Sequence, residues 1–242
     1  MQAVILAAGL GSRLGSLTSQ KPKAMVEYQK EAIISYQINN LLKLGIKKII
    51  IICGYKSHIL IDFLKKKFDI SNFIFVINNR FDETNSAFSF SLAKSRITSN
   101  SYIHINCDIL FSVELLSNLI SSNYDNCICV RKDLELKDKM ENVTINENKQ
   151  IIKMSLINDE NSFYKAYGLA KISRQALNLN LDLYDSMQKE LREKENYYGL
   201  IRNNLKNTSY YCIEAKKNDL AEINTQNDLN VCVFQQGNNI NS

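Results

Sequence analysis

Hydrophobic residues fall along this chain in short runs separated by amphipathic stretches. Residues 3–7 (AVILA) form an apolar run closed by Gly9, and residues 48–53 (KIIIIC), 73–77 (FIFVI), 102–106 (YIHIN) and 126–130 (NCICV) are of the same kind. Runs this short and this apolar predict strands covered on both faces. Between them, residues 33–44 (IISYQINNLLKL) carry apolar side chains at helical spacing and stop at Gly45. Residues 58–68, 86–94 and 113–121 have the same period. Strand and helix therefore alternate, which predicts an α/β fold: a Rossmann-like, doubly wound, mostly parallel sheet with helices on both faces.

Past residue 131 the rhythm changes. Residues 142–145, 151–154 and 167–172 read as short strands between polar turns, which predicts a small antiparallel insertion over residues 131–172, walling one side of the crevice. Residues 182–193 predict a charged helix, 210–215 a late strand, and 225–234 a closing helix capped by Thr225. Residues 10–23 read as a loop. Residues 1–236 are expected to form a single domain, and residues 237–242 a frayed polar tail. In sheets of this kind ligands bind beyond the carboxyl ends of the strands. Gly9, Gly54, Asn78 and Asp108 each follow a predicted strand, so all four are expected on that edge.

Composition narrows the function. The net charge of +5 arises from 30 basic and 25 acidic residues spread along 242 positions, without the basic stripe of a nucleic-acid binder. A mild positive balance suits small anionic substrates. No apolar stretch reaches the ~20 residues of a membrane span, and no basic segment precedes the first apolar run. The expected compartment is the cytoplasm, with no membrane partner. The six cysteines lack paired knuckle spacing and read as free buried thiols. With only two histidines, His58 and His104, a zinc site or histidine-based triad is hard to build.

The candidate chemistry is concentrated after the first predicted strand. Leu6-Ala7-Ala8-Gly9-Leu10-Gly11-Ser12-Arg13-Leu14 leads to Lys21-Pro22-Lys23. Small residues at 7, 8, 9 and 11 let the backbone touch a ligand, and consecutive loop N–H groups make an anion-binding concavity. Arg13 offers a planar fork to phosphate oxygens and Lys23 a mobile point charge. Pro22, the sole proline, fixes the backbone before Lys23. The dinucleotide fingerprint does not fit, because the third glycine falls one residue late at Gly15, and no G-x-x-x-x-G-K-[ST] run exists. Asp108 is a candidate Mg²⁺ ligand or a cap for the helix predicted at 113–121. Asn78, Asn79, Asn85 and Ser86 can both donate to and accept from a ligand, or equally form a turn and a cap. Tyr55 is placed to stack near a base or to cover the sheet end.

Together these segments resemble the signature of the sugar-phosphate nucleotidyltransferase superfamily. LAAGLGSRL with PKAMV carries the resemblance. Gly54-Tyr55, Asn78-Asn79-x-Phe81-x-x-Thr84-Asn85-Ser86, Asp108 and Glu222-Ile223-Asn224-Thr225-x-x-Asp228-Leu229 continue it. The short length and asparagine-rich segment look like the CTP-using branch that includes phosphocholine cytidylyltransferases. The resemblance implies an enzyme that moves CMP from CTP, with Mg²⁺, to a small phosphorylated acceptor of the phosphocholine or phosphoglutamine kind, releasing pyrophosphate. Capsule or surface polysaccharide modification is the setting it implies.

The resemblance also implies roles for particular residues. Lys23 and Arg13 are the catalytic pair, with Lys23 bridging donor and acceptor phosphates. Leu6, Ala7, Ala8, Gly9, Gly11, Ser12, Arg13, Tyr55, Asn78, Asn85 and Ser86 hold the nucleotide. Asp108 and position 224 hold the metal. The family pattern has aspartate at 224, and this chain has Asn224. An amide oxygen ligates without contributing charge, so this position is expected to be weaker, or met partly by water, unless Glu222 takes part. Cys107 stands where the family has a small glycine or serine. Tyr164, Tyr167, Gly168 and Lys171 belong to the acceptor pocket or to core packing, while Arg131, Lys132 and Lys153 read as solvated charges. Two other readings are a sugar-1-phosphate nucleotidyltransferase using UTP or dTTP, and a nucleotide-binding regulatory module, the latter favoured by Asn224 alone. The expected partners are CTP and the acceptor, with no nucleic acid, in a monomer or homodimer.

Overall fold

The computed structural model describes residues 1–236. Its first half runs β1 (Gln2–Ala7), α1 (Ser16–Ser19), β2 (Glu27–Tyr28), β3 (Glu31–Ala32), α2 (Ile33–Lys43), β4 (Ile49–Cys53), α3 (Ser57–Lys67) and β5 (Phe73–Ile77). Next come α4 (Ser86–Ser91), β6 (Ser101–Asn106), β7 (Ile109–Phe111), α5 (Val113–Ser121) and β8 (Cys127–Arg131). The second half runs β9 (Asn142–Ile145), β10 (Ile151–Ser155), β11 (Tyr164–Ser173), α6 (Arg174–Ser186), α7 (Lys189–Lys194) and α8 (Tyr197–Asn204). β12 (Tyr211–Glu214), β13 (Leu220–Glu222) and α9 (Gln226–Val231) close it. The tail expected to fray, residues 237–242, lies outside the described residues.

A nine-stranded sheet is ordered β10-β9-β11-β6-β1-β4-β5, with β8 on the opposite edge of β11 from β6 and β12 beside β8. The β6-β1-β4-β5 portion is parallel throughout, and β1 is fully buried at its centre. Side chains alternate across it. Ala3, Ile5 and Ala7 join Ile38, Leu41, Leu60, Leu64 and Leu116 on one face. Val4 and Leu6 join Phe90, Leu177, Tyr197 and Leu200 on the other. Helices cover both faces of β1 and β4, which is why their sequences show no polar alternation, whereas β5, expected to be covered likewise, is a half-buried edge strand with Ile77 exposed. Each large side chain so buried contributes roughly 1.5–3 kcal/mol.

The antiparallel strands expected over 131–172 are present, and they are continuous with the main sheet. β11 pairs antiparallel with β6 through Leu169↔Ile105, with β8 through Lys165↔Arg131 and with β9 through Tyr164↔Val143. A register break between Ala166 and Ala170 lets one long strand serve all three neighbours. Other boundaries differ from expectation for local reasons. The helix expected at 182–193 is two helices, because Met187 turns extended and packs into the core. The closing helix stops at Val231, and the chain then extends so that Phe234 packs edge-on against Tyr28 and Tyr36. α8 went unanticipated: Gly199 weakens its helical pattern, and Asn196 supplies the cap by accepting from Gly199 N–H at 2.6 Å.

Candidate active site

The turn after β1 is shaped by what its glycines exclude. Gly11 has φ +67°, and a Cβ there would lie 2.9 Å from Lys23 Cβ, so a side chain at 11 would both strain the backbone and displace Lys23. The span expected as a loop, residues 10–23, contains a 3₁₀ turn over Ser12–Leu14 and the short α1. Thr18 Oγ1 donates to Gly11 O at 3.0 Å and ties that turn back. Gly54 packs from behind: a Cβ there would fall 2.5 Å from Ala8 O and 2.6 Å from Phe81 Cβ. Tyr55 N–H donates to the same Ala8 O at 3.0 Å. A Cβ on Gly9, by contrast, would meet nothing within 4 Å. The turn is thus held from one side and open on the other.

On the open side four polar residues converge. Lys23 Nζ donates to Asp108 Oδ2 at 2.6 Å and to Asn224 Oδ1 at 2.8 Å, and Arg13 Nη2 donates to the same Asn224 oxygen at 2.8 Å. Asp108 follows β6. The small β7–β13 pairing brings Asn224 beside it, with Ile223 N–H donating to Asp108 O at 2.8 Å. A capping box at α9 then fixes Asn224: Asp228 Oδ2 accepts from the N–H groups of Asn224 and Thr225, and Thr225 Oγ1 accepts from Asp228 N–H. Asp108 caps nothing, because Ser112 is the cap of α5, accepting from Leu115 N–H at 3.1 Å. Glu222, the alternative ligand, is held instead by Lys165 at 2.5 Å.

The donor set suits a hard cation. Asp108 Oδ1 is buried without a hydrogen-bond partner among the described residues, and the Lys23 ammonium already stands between the Asp108 and Asn224 oxygens. No cluster of three or more His, Cys, Asp or Glu side chains fit for a metal occurs among the described residues. One carboxylate and one amide oxygen fit Mg²⁺, which keeps several waters and takes much of its shell from phosphates.

Two contiguous cavities meet here. The smaller, about 370 Å³, is lined by Leu6, Ala8, Gly9, Gly11, Ser12, Arg13, Lys23, Phe81, Thr84, Asn85, Ser86, Ser89, Asn106, Cys107, Asp108 and Asn224. The larger, about 750 Å³, extends past Arg131, Glu141, Lys165, Tyr167, Gly168, Tyr198 and Glu222. Burial, with the Asp108 charge beside it, pushes the Cys107 thiol up to about 12, so it stays protonated and offers no thiolate. Burial disfavours the Lys165 ammonium, but Glu222 and the Tyr167 ring, 4.5 Å away, hold its pKa above the ordinary lysine range.

Of the expected nucleotide residues, Leu6, Ala8, Gly9, Gly11, Ser12, Arg13, Asn85 and Ser86 line the smaller cavity; Ala7, Tyr55 and Asn78 do not. Ala7 faces the core. The Tyr55 hydroxyl donates to Ser19 O at 3.1 Å and its ring packs on Phe81. Asn78, 1% exposed, is a brace: its amide donates to Thr84 Oγ1 and Ser89 Oγ and accepts from Arg80 N–H. Asn79 is exposed and outside both cavities. Lys171 is buried on the Ser122 carbonyl at 2.6 Å, and Tyr164 lines neither cavity, whereas Tyr167 and Gly168 line the larger. Arg131 is not a solvated charge: 8% exposed, it forks onto Asp133 and donates to Leu220 O. Lys132 and Lys153 make surface ion pairs. Asn106 and Lys165 escaped sequence reasoning, because only the strand register brings them to the cavities.

Residues 2–177 match the Nucleotidyl transferase family. The chain belongs to that family. As a family member it is 37% identical over 137 residues to the CTP:phosphoglutamine cytidylyltransferase of Campylobacter jejuni, covering 54% of this chain and 53% of that protein. It is 38% identical over 124 residues to the choline-phosphate cytidylyltransferase of Streptococcus pneumoniae, covering 51% and 52%. The chain thus spans about half the length of the curated relatives it matches. The solved structure of CTP:phosphocholine cytidylyltransferase from Streptococcus pneumoniae superposes with a TM-score of 0.77 at 22% identity, over 96% of this chain and 97% of that one. This likeness shows the fold. No helix among the described residues is long and apolar enough to cross a membrane.

Proposed function

We propose that this nucleotidyl transferase family member is a Mg²⁺-dependent cytidylyltransferase, moving CMP from CTP onto the phosphate of a small acceptor such as phosphoglutamine or phosphocholine and releasing pyrophosphate. The observation that carries the reading is the convergence of Lys23, Arg13, Asp108 and Asn224 beside the open glycine turn, where two cavities meet. The smaller cavity takes the nucleotide and the larger the acceptor. Similarity to two cytidylyltransferases supports CTP as donor.

In the reaction an acceptor phosphate oxygen forms a bond to the α-phosphorus as the bond to the β-phosphate oxygen breaks. A phosphate monoester is largely a dianion at neutral pH, so its oxygen attacks without a base. That fits a site whose nearest histidine, His104, is fully buried and outside both cavities. The main task is to offset negative charge and align the reactants. Backbone N–H groups from Ala8 to Ser12 cradle the triphosphate, and Arg13 pairs its guanidinium with phosphate oxygens. Lys23, released from Asp108 and Asn224, bridges the α-phosphate and the attacking phosphate as charge builds. Asp108 and Asn224 would hold Mg²⁺, which when bound neutralises phosphate charge and polarises the α-phosphorus. We also assign the protein to the cytoplasm, a reading that its six free thiols support, and to capsule or surface polysaccharide modification.

The test is pyrophosphate release across CTP, UTP and dTTP, each with phosphoglutamine, phosphocholine and a sugar 1-phosphate, with Mg²⁺ and with chelator. Chelator-sensitive turnover with CTP and one of the first two acceptors is the expected result. Better turnover of UTP or dTTP with the sugar phosphate overturns the CTP assignment. The uncharged Asn224 favours one other reading, a module that binds nucleotide without turnover; nucleotide binding with no pyrophosphate release from any pair would establish it.

A further inference from the structure

Four residues line both cavities: Arg13, Ser86, Asn106 and Asn224. A side chain common to the two faces the place where nucleotide and acceptor phosphates meet. Arg13 and Asn224 are bonded to each other, and Ser86 Oγ accepts from Tyr197 N–H at 2.9 Å. Asn106 differs, because its amide nitrogen donates to no protein atom among the described residues while the rest of the residue is fixed.

The fixing is specific. His104 Nε2 lies 3.2 Å from Asn106 Oδ1. The imidazole is fully buried and stacked on Tyr197 at 4.7 Å, with Phe90 at 5.9 Å. Burial holds its pKa down at about 4, so the ring is neutral, and its Nδ1 has no partner among the described residues. A bare lone pair at Nδ1 costs less than an orphaned N–H, so the proton sits on Nε2 and donates to Asn106 Oδ1. That sets the amide with its NH₂ toward the cavity. Gln37 Nε2 holds the Asn106 carbonyl at 2.9 Å. Across the strand pair, a Cβ at Gly168 would come 2.2 Å from both Cγ and Nδ2 of Asn106, so β11 omits a side chain where this amide lies.

We propose that Asn106 is a binding residue for the acceptor, donating its amide N–H to an oxygen of the attacking phosphate, and that His104 is the positioning residue that keeps the amide nitrogen facing it. The inference rests on the function proposed above. A neutral donor placed here favours a phosphate oxygen over a cationic or donor-only group, whereas a carboxylate would repel it.

The test compares wild type with Asn106→Asp, His104→Phe and His104→Gln. CTP affinity is measured by calorimetry without acceptor, and kinetics with phosphocholine and phosphoglutamine as probes. Asn106→Asp keeps the shape and reverses the polarity. It is expected to lower acceptor kcat/KM about a hundredfold and to weaken CTP binding by a clearly smaller factor. His104→Phe stacks but cannot donate, and should lower acceptor kcat/KM about tenfold, mainly through KM. His104→Gln restores a donor and should recover most of that loss. A purely structural role would move melting temperature and both substrates together. Should Asn106→Asp fail to fold, the two His104 variants decide: equal kinetics in both overturn the proposal. An active wild type with an indifferent Asn106→Asp, or with CTP affinity lost in parallel, overturns this inference alone. A wild type inert toward both probes overturns the proposed function and this inference with it.

Discussion

Two glycines near the turn after β1 separate packing from binding. Gly54 has backbone on one side and Phe81 on the other, so a methyl group there must push Ala8 away. Gly54→Ala is expected to cost about 2 kcal/mol by urea denaturation, in the usual range for overpacking. A methyl on Gly9 meets no protein atom. Gly9→Ala should therefore leave stability within about 0.5 kcal/mol and weaken CTP binding about tenfold or more. Equal stability loss in the two variants would remove the cavity side of the turn as the ligand side. At Lys23 the ammonium is shared by Asp108 and Asn224. Lys23→Ala is expected to lower kcat roughly a hundredfold with the fold retained, by the measure of a lost electrostatic stabiliser; unchanged kcat in stopped-assay kinetics would end its assignment. The glycines, Arg13, Lys23 and Asp108 were readable because each belongs to a contiguous motif or directly follows a strand. Asn78 and Tyr55 follow strands as well, yet their side chains are spent on Thr84, Ser89 and Ser19, a choice that spacing does not reveal.

Elements place these residues by pairing. Asn224 reaches the site only because β13 runs antiparallel to β7, which begins at the residue after Asp108, and because the α9 capping box clamps the backbone at 224 and 225. Strands of three residues give almost no periodic signal, so this pairing was invisible in the sequence, whereas the cap at Thr225 was legible from its spacing to Asp228. Loss of the cap should act on both stability and function. Thr225→Ala is expected to cost about 1 kcal/mol in chemical denaturation. Asp228→Ala removes the acceptor for both N–H groups, so it should also raise the Mg²⁺ concentration needed for half-maximal pyrophosphate release, while Thr225→Ser restores wild-type values. If Asp228→Ala changed stability but left the Mg²⁺ titration untouched, Asn224 would not be a residue whose placement the metal depends on. The same contrast runs through the rest of the chain. Long apolar runs gave β1, β4 and β5 to within a residue, while β11, whose first residues mix Tyr, Lys and Ala, was recognised only over its apolar end.

At the scale of the whole molecule, the doubly covered sheet was legible because burial on both faces leaves a mark in the strands themselves. What it buries was not, and one buried group ties stability to pH. His104 lies in the middle of β6 with its ring against Tyr197 and Phe90, and burial lowers its pKa from 6.5 to about 4. The unfolded chain therefore binds a proton at this residue more readily than the folded one. Its contribution to stability is complete above about pH 6.5, where the ring is neutral in both states, and is lost progressively as pH falls toward 4. The loss amounts to about 3 kcal/mol. Carboxylates elsewhere also titrate as pH falls, but they are common to wild type and a His104→Gln variant, so the difference between the two proteins isolates the imidazole. Urea denaturation of both from pH 7.5 to pH 4 should show wild type losing about 3 kcal/mol more than His104→Gln across that window. Parallel stability curves would mean that the ring is hydrated or paired when protonated, and that the neutral donor holding Asn106 in place is not what β6 encloses.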